Sequence, residues 1–317
     1  MVGCSNPAHP SPSRGTSSAA QSVRLWQDAS IFDLVRDLIG SAHVRVMVEM
    51  YELERADLLR ALGEAVVRGV AVRVITDPTV AGNRHSTAVL DSLGVPERVY
   101  PVDDRRHQID HVKLLIADGK AAVGGMNWGN HSHRNHDYVL ETRVTVDINR
   151  LVRIFEQDWS LAGGHPSPLP GIAGEVAQTA PGAEIRAMLA SALVHAVHRV
   201  LAEVYTLTDP EVIAELVEAH RRGASVRVLL DPHQPYNQHG YEVLRSGGVE
   251  VRWYPVPRQA KLHAKIGLFD GVLVLGSANW TLSGLGVNHE LDIETEDPVA
   301  VETYAARFAA DWASAGG

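Results

Sequence analysis

Two hydrophobic periods alternate along the chain. Residues 44–53 (VRVMVEMYEL), 71–78 (AVRVITDP) and 112–117 (VKLLIA) carry apolar runs of strand length. Between the first two, ADLLRALGEAVVRGV (56–70) repeats its apolar positions every three to four residues, as an amphipathic helix does. Strands joined through helices predict a layered α/β fold. One strand departs from its own pattern. HVKLLIADG (111–119) reads as buried, yet it opens with His111 and Lys113, which strand alternation puts on one face, about 6–7 Å apart. Lysine is almost never fully buried unless it is paired. Taken alone, such a pair is most simply a solvated strand mouth.

The same order of patterns comes a second time. VLAEVYTLTD (200–209), EVIAELVEAHRRGA (211–224), SVRVLLDP (225–232) and KLHAKIGLFD (261–270) follow their counterparts by 152 to 154 positions. His263, Lys265 and Asp270 repeat the spacing of His111, Lys113 and Asp118. AVGGMNWGN (122–130) stands against VLGSANWTL (274–282), RNHDYVLET (134–142) against VNHELDIET (287–295), and FEQDWSLAGG (155–164) against FAADWASAGG (308–317). A period of domain size marks a duplication rather than a solenoid. The expected organisation is a disordered Ser/Pro/Ala-rich tail over 1–21, one half over 22–164, a Pro/Gly/Ala-rich linker over 165–182 and a second half over 183–317. Two similar halves pack most simply about a pseudo-twofold axis, which can bring the two His/Lys strands into one cleft.

Composition changes this picture only at its margins. The chain has 317 residues, 45% hydrophobic and 21% charged, which suits about two globular domains. It has no apolar run long enough for a transmembrane helix. A net charge of -9 argues against a non-specific polyanion binder. Cys4 is the one cysteine, which excludes an intrachain disulfide and a cysteine metal site. It follows small residues and precedes a flexible stretch, like the end of a bacterial lipoprotein signal, although no apolar segment stands before it. This start favours the cell envelope or secretion over the cytoplasm. HSHRNH (131–136) offers His131, His133 and His136, but fits no zinc spacing and reads as a polar rim loop. His85, His233 and His239 read as rim residues, Trp128, Trp280, Trp159 and Trp312 as core, and Asp77 and Asp231 as turn starters.

The motif H-x-K-x4-D-x5-G-[G/S]-x-N, present twice, resembles that of the phospholipase D superfamily over roughly residues 22–317. The GSANW form of the second copy resembles the short nuclease-like and cardiolipin-hydrolase-like branch. The resemblance implies two phospholipase D-like α/β halves in a single-chain pseudodimer. It implies a phosphodiesterase working through a covalent phosphohistidine, without metal or cofactor. The substrate is a phosphodiester, with phospholipid favoured and nucleic acid the alternative. Contact with a membrane surface is compatible with this, and no obligate protein partner is evident. A catalytically inert phosphate-binding module is the contrasting class; the intact motif argues against it.

By resemblance His111 and His263 are the catalytic imidazoles, one attacking phosphorus and the other protonating the leaving oxygen. Analogy with bacterial two-motif enzymes makes His111 the nucleophile. Lys113, Lys265, Asn127 and Asn279 match phosphate-binding residues, and Asp118 and Asp270 match structural aspartates. Asp137 and Glu290 match the carboxylates behind each histidine, with Asp137 shorter than the usual Glu. Ser277 matches a hydroxyl donor to the phosphate, which Gly125 lacks. The chemistry suits these residue types. Cations and amides stabilise charge on the phosphoryl oxygens, imidazole is a competent nucleophile near neutrality, and a carboxylate on the far ring nitrogen fixes its tautomer.

Overall fold

Two seven-stranded mixed sheets form the molecule, in a computed structural model that describes residues 22–165, 175–179 and 183–315. The tail expected over 1–21 lies outside the described residues. The first half runs β1 (Val23–Gln27), α1 (Ile31–Ser41), β2 (Arg45–Met50), α2 (Ala56–Val67), β3 (Ala71–Thr76), α3 (Asn83–Ser92), β4 (Glu97–Val99), β5 (Lys113–Ala117), β6 (Lys120–Gly124), β7 (Tyr138–Thr142) and α4 (Thr145–Ala162). The second runs β8 (Val176–Gln178), α5 (Glu184–His195), β9 (Arg199–Val204), α6 (Pro210–Arg221), β10 (Ser225–Leu230), α7 (Asn237–Ser246), β11 (Glu250–Trp253), β12 (Lys265–Phe269), β13 (Val272–Gly276), α8 (Leu282–Gly286), β14 (Leu291–Thr295) and α9 (Pro298–Ser314). The expected α/β class and the duplication are both present. The segment expected as a linker, 165–182, contributes β8, which pairs with β14 as β1 pairs with β7. Its described residues therefore include an edge strand of the second sheet, whose Val176 enters the core.

The strand orders are β1-β7-β6-β5-β2-β3-β4 and β11-β10-β9-β12-β13-β14-β8. Parallel strands β2, β3 and β4 are linked through α2 and α3, and the antiparallel strands lie on the other side of β5. The histidine strands β5 and β12 are thus central, flanked on both sides, which explains their continuous apolar runs. Asp118 and Asp270 turn each of them back in a two-residue Asp-Gly hairpin, at φ of 53° and 52°. Their carboxylates accept backbone N–H groups at 2.8–3.0 Å, Asp118 from His43, Val44 and Arg45, Asp270 from Val197, His198 and Arg199. The motif aspartates therefore staple the end of the strand opposite its histidine.

Each sheet packs one face on its own helices, with Leu34, Leu38, Leu58 and Leu62 covering the first and Ile185, Leu189, Ile213 and Leu216 the second. The other faces meet in a shared core. Leu114, Ile116 and Leu140 of one half join Ile266, Leu268 and Ile293 of the other, together with Phe155 of α4 and Phe308 of α9. Trp128 and Trp280 are buried as expected, and Trp159 and Trp312 pack on this shared core. The helices α6 and α9 begin with Asp-Pro, the Asp209 and Asp297 side chains accepting two backbone N–H groups each at the N-terminus.

Candidate active site

The backbone at the mouth of each histidine strand is fixed before any side chain is considered. Asp77 accepts from Asp110 N at 2.7 Å, and Asp231 accepts from Leu262 N at 2.7 Å. These are the residues immediately before His111 and His263. The two aspartates start turns as expected, accepting from Thr79 N and His233 N, and their other oxygens are buried hooks on the motif strands. Asn83 and Asn237 repeat a second device. Each accepts the N–H of a β2- or β9-loop residue (Leu53 or Leu207) and donates to the carbonyls of Tyr51 and Asp77, or of Tyr205 and Asp231.

The two halves then exchange strands of backbone. His111 N donates to His289 O at 2.8 Å and His289 N to Ile109 O at 2.9 Å, while His263 N donates to His136 O at 2.8 Å and His136 N to Lys261 O at 2.9 Å. This crossing sets the imidazole–carboxylate pairing. His111 Nδ1 lies 2.9 Å from Glu290 Oε2, and His263 Nδ1 lies 2.7 Å from Asp137 Oδ2. Each imidazole is oriented by the carboxylate of the other half, not of its own. The two residues that precede the carboxylates cross the interface and carry them over.

All six groups are buried, and burial governs their protonation. It pushes Lys113 down to about 7 and Lys265 down to about 8. It also lowers His111, which Glu290 partly restores, and holds His263 well below its ordinary value, with the Lys265 and Lys113 charges adding to the effect. Burial raises Asp137 to about 7. It works the same way on Glu290, but His111 and Lys113 outweigh it and keep that carboxyl low. The Lys265 ammonium lies 3.0 Å from both ring nitrogens of His263. Mutual charge effects among His111, Lys113, His263 and Lys265 place all four in one cluster.

The carboxylates differ in their support. Ser277 Oγ donates to Glu290 Oε2 at 2.6 Å, and Asn288 Nδ2 donates to Glu290 Oε1 at 3.1 Å. Ser277 thus supports the carboxylate behind the histidine. At the matching position a Cβ on Gly125 would collide with the Asp137 carboxylate. The shorter acid and the missing side chain occur together for a steric reason. Asn127 donates to Glu52 Oε2 at 3.0 Å, and the side-chain carbonyls of Asn127 and Asn279 are buried without a hydrogen-bond partner.

Sequence reasoning left several site residues unassigned. Tyr51 meets the His111 ring edge-on at 4.8 Å between centroids and lies 5.0 Å from Lys113 Nζ; Tyr205 repeats this with His263 at 4.9 Å and Lys265 at 5.2 Å. Their alignment in the repeat was the available signal. His136 and His289, one expected on a rim loop, are buried instead. His136 Nδ1 lies 2.6 Å from Asp28, with Glu203 and Asp311 near Nε2. His289 Nε2 lies 3.1 Å from Asp158 and 3.3 Å from Glu49. Their rings stack on Tyr254 and Tyr100. The clusters Glu49–Asp110–His289 and His136–Glu203–Asp311 have donor atoms close enough to take a cation. Protons also balance their charge. Burial works against the imidazoliums, but the surrounding carboxylates raise His136 to about 10 and His289 well above its usual value, and burial lifts Glu49 to about 7.

A duplicated α/β chain that joins one H-x-K strand from each half into a single cationic imidazole site has the architecture of the phospholipase D superfamily. The sequence profile described as "Cardiolipin synthase, PLD-like domain" matches residues 35–159 and again 189–312, and the chain belongs to that family. It is 36% identical over 113 residues to a mitochondrial cardiolipin hydrolase of Xenopus laevis, a match covering 34% of this chain and 52% of that protein. The match thus spans about half of that relative. A protein described as "Probable cardiolipin synthase" of Bacillus subtilis is 22% identical over 319 residues, covering 89% of this chain and 63% of the relative. Among solved structures, the phosphatidylserine synthase of Haemophilus influenzae superposes with a TM-score of 0.74 at 11% identity, over 93% of this chain and 86% of that one, and shares the fold.

Proposed function

We propose that the chain is a phosphodiesterase of phospholipase D type that cleaves a phospholipid through a covalent phosphohistidine. The observation that carries this reading is the crossed pair of imidazole–carboxylate contacts, His111–Glu290 and His263–Asp137, set among two buried lysines. Because Nδ1 of each ring faces a carboxylate, Nε2 is the reactive atom on both. One neutral Nε2 attacks phosphorus, and the bond to the alcohol breaks as the other imidazolium gives that oxygen its proton. The second imidazole, now neutral, takes a proton from water or an alcohol, which attacks the phosphohistidine and frees the first ring. Lys113, Lys265, Asn127 and Asn279 hold the phosphoryl oxygens, where charge builds in the transition state.

A lipid substrate is supported by the names of the relatives, cardiolipin hydrolase and cardiolipin synthase, and by the net charge of -9, which disfavours a nucleic acid. Among the described residues no helix is long and apolar enough to cross a membrane. The test incubates the purified protein with EDTA and cardiolipin, phosphatidylcholine or single-stranded DNA, beside His111→Ala and His263→Ala. Release of phosphatidic acid or phosphatidyl product by the wild type alone is expected. Cleavage of DNA with no lipid turnover would replace the lipid reading by a nuclease, and activity that survives both variants would remove the histidines from the mechanism. A primary alcohol added to the lipid assay reads out transfer against hydrolysis.

A further inference from the structure

We propose that Glu52 determines which alcohol the site accepts, selecting one that presents a hydroxyl or an ammonium group toward the first half. The inference rests on the phospholipase D-type reading above and deepens it. Glu52 follows Tyr51 in the loop after β2, and its Oε2 takes a hydrogen bond from Asn127 Nδ2 at 3.0 Å. It is half-buried; burial and the neighbouring Glu54 charge raise its carboxyl, and Asn127, Lys113 and Lys261 act against this. A carboxylate therefore stands beside the groups that are to hold a phosphate anion. In a phosphate site this placement is costly unless the acid has something to bind.

The repeat supplies the control. The rim loops of the two halves have the same backbone. Glu54 N and Arg55 N donate to Trp128 O, and Thr208 N and Asp209 N donate to Trp280 O, at 2.9–3.0 Å. The side chains on this common frame differ. Glu52 and Glu54 stand opposite Thr206 and Thr208, and Gly129 stands opposite Thr281. A Cβ on Gly129 would collide with the Glu52 carboxylate, and one on Gly82 with that of Glu54. Each acid on the first rim is thus matched by a glycine that makes room for it. In the second half the Gly82 position is Tyr236, 70% exposed, and Asn130 is replaced by Leu282, 61% exposed. At these matched positions the first rim carries acids and the second neutral side chains, with Lys261 5.4 Å from the Tyr205 ring on the second.

A diester laid across this cleft meets two different environments. The acidic rim accepts hydrogen bonds from a hydroxyl-rich alcohol such as glycerol, or pairs with a primary ammonium. The rim with Tyr236 and Leu282 suits the side of the substrate that carries the acyl chains.

The test compares kcat/KM for phosphatidylglycerol and phosphatidylethanolamine in mixed micelles with that for bis(p-nitrophenyl) phosphate, which presents no donor. Glu52→Gln keeps the shape and removes the charge; Glu52→Thr installs the residue of the second half. Thermal unfolding checks that both variants fold. The expected result is a fall in the lipid-to-aryl ratio of kcat/KM of about 10- to 100-fold, the scale of one charge-assisted hydrogen bond. An unchanged ratio, whether both substrates lose equally or neither does, would leave Glu52 as a support for Asn127 and overturn the inference alone. Turnover of the aryl diester by a wild type that cleaves no lipid would overturn the lipid reading, and the inference with it.

Discussion

Glu290 Oε2 lies 2.9 Å from His111 Nδ1, although the two residues belong to different halves of the chain. The carboxylate is ionised, held by Ser277 and Asn288, and it fixes the ring so that Nε2 faces the reaction. Glu290→Gln keeps the shape and removes the charge that supports an imidazolium. It is expected to lower kcat by about 10²–10⁴-fold, with a smaller change in KM. Because Glu290 acts through His111, the double variant Glu290→Gln/His111→Ala should be no slower than His111→Ala alone. Effects that multiply in the double variant would mean that Glu290 serves another group.

Gly125 and Asp137 form a steric unit, as Ser277 and Glu290 form a hydrogen-bonded one. Gly125→Ser places a side chain where the Asp137 carboxylate lies. Overpacking of this kind costs about 1–3 kcal/mol, read as a lowered urea midpoint, and it should push Asp137 away from His263 and reduce kcat. Adding Asp137→Ala to Gly125→Ser frees the space, so the stability losses of the two single changes should not sum. A Gly125→Ser protein with wild-type stability and rate would refute the packing argument.

The motif strands, the duplication and the identity of His111, Lys113, His263 and Lys265 as a set were legible in the sequence, because period and spacing survive without coordinates. The crossed pairing was not. It depends on His289 and His136 exchanging backbone hydrogen bonds with Ile109 and Lys261 of the opposite half, and no one-dimensional pattern records which half a loop crosses to. The Ser277 hydroxyl is turned toward Glu290 and the N–H of Leu291, a contact that motif spacing does not record. β8 was hidden because a three-residue edge strand among Pro and Gly leaves too short an alternation to read. Glu52 carried a signal only in comparison with Thr206, since an acid in a loop is ordinary by itself.

His136 is expected to hold the halves together in a pH-dependent way. It stands in a buried cluster with Glu203, Asp311 and Asp28, close to Arg307. Its pKa is raised to about 10 in the folded chain, against about 6.5 when unfolded. The folded state therefore binds the extra proton more tightly. This stabilisation is complete below about pH 6.5 and is lost progressively as pH rises toward 10. His136→Gln leaves the buried Glu203 without its cation, while Arg307 still pairs with Asp28 and Asp311; the change costs about 3–5 kcal/mol near neutrality. The gap in unfolding free energy between wild type and variant should narrow steadily from pH 7 to pH 10. A gap independent of pH would show that the ring acts by packing alone.

The two site histidines are unequal, and on the phosphohistidine reading proposed above their surroundings favour the covalent step at His263, where the analogy with two-motif bacterial enzymes favours His111. His263 is buried beside the ammonium of Lys265, and its carboxylate partner Asp137 is itself lifted to about 7, so the ring is held neutral with its lone pair available. Burial lowers His111 too, but the ionised Glu290 carboxylate at its Nδ1 partly restores it, so of the two rings His111 is the better placed to carry the proton of a general acid. With bis(p-nitrophenyl) phosphate the leaving group needs little protonation, so the first step should survive in His111→Ala. The second step should slow, because no imidazole remains to take a proton from water. His111→Ala is therefore expected to accumulate a base-stable, acid-labile phosphoenzyme with one equivalent of p-nitrophenol released in a burst, and peptide mapping should place the label on His263. His263→Ala should give neither burst nor label. A label on His111 in the His263→Ala protein would return the nucleophile to the first half.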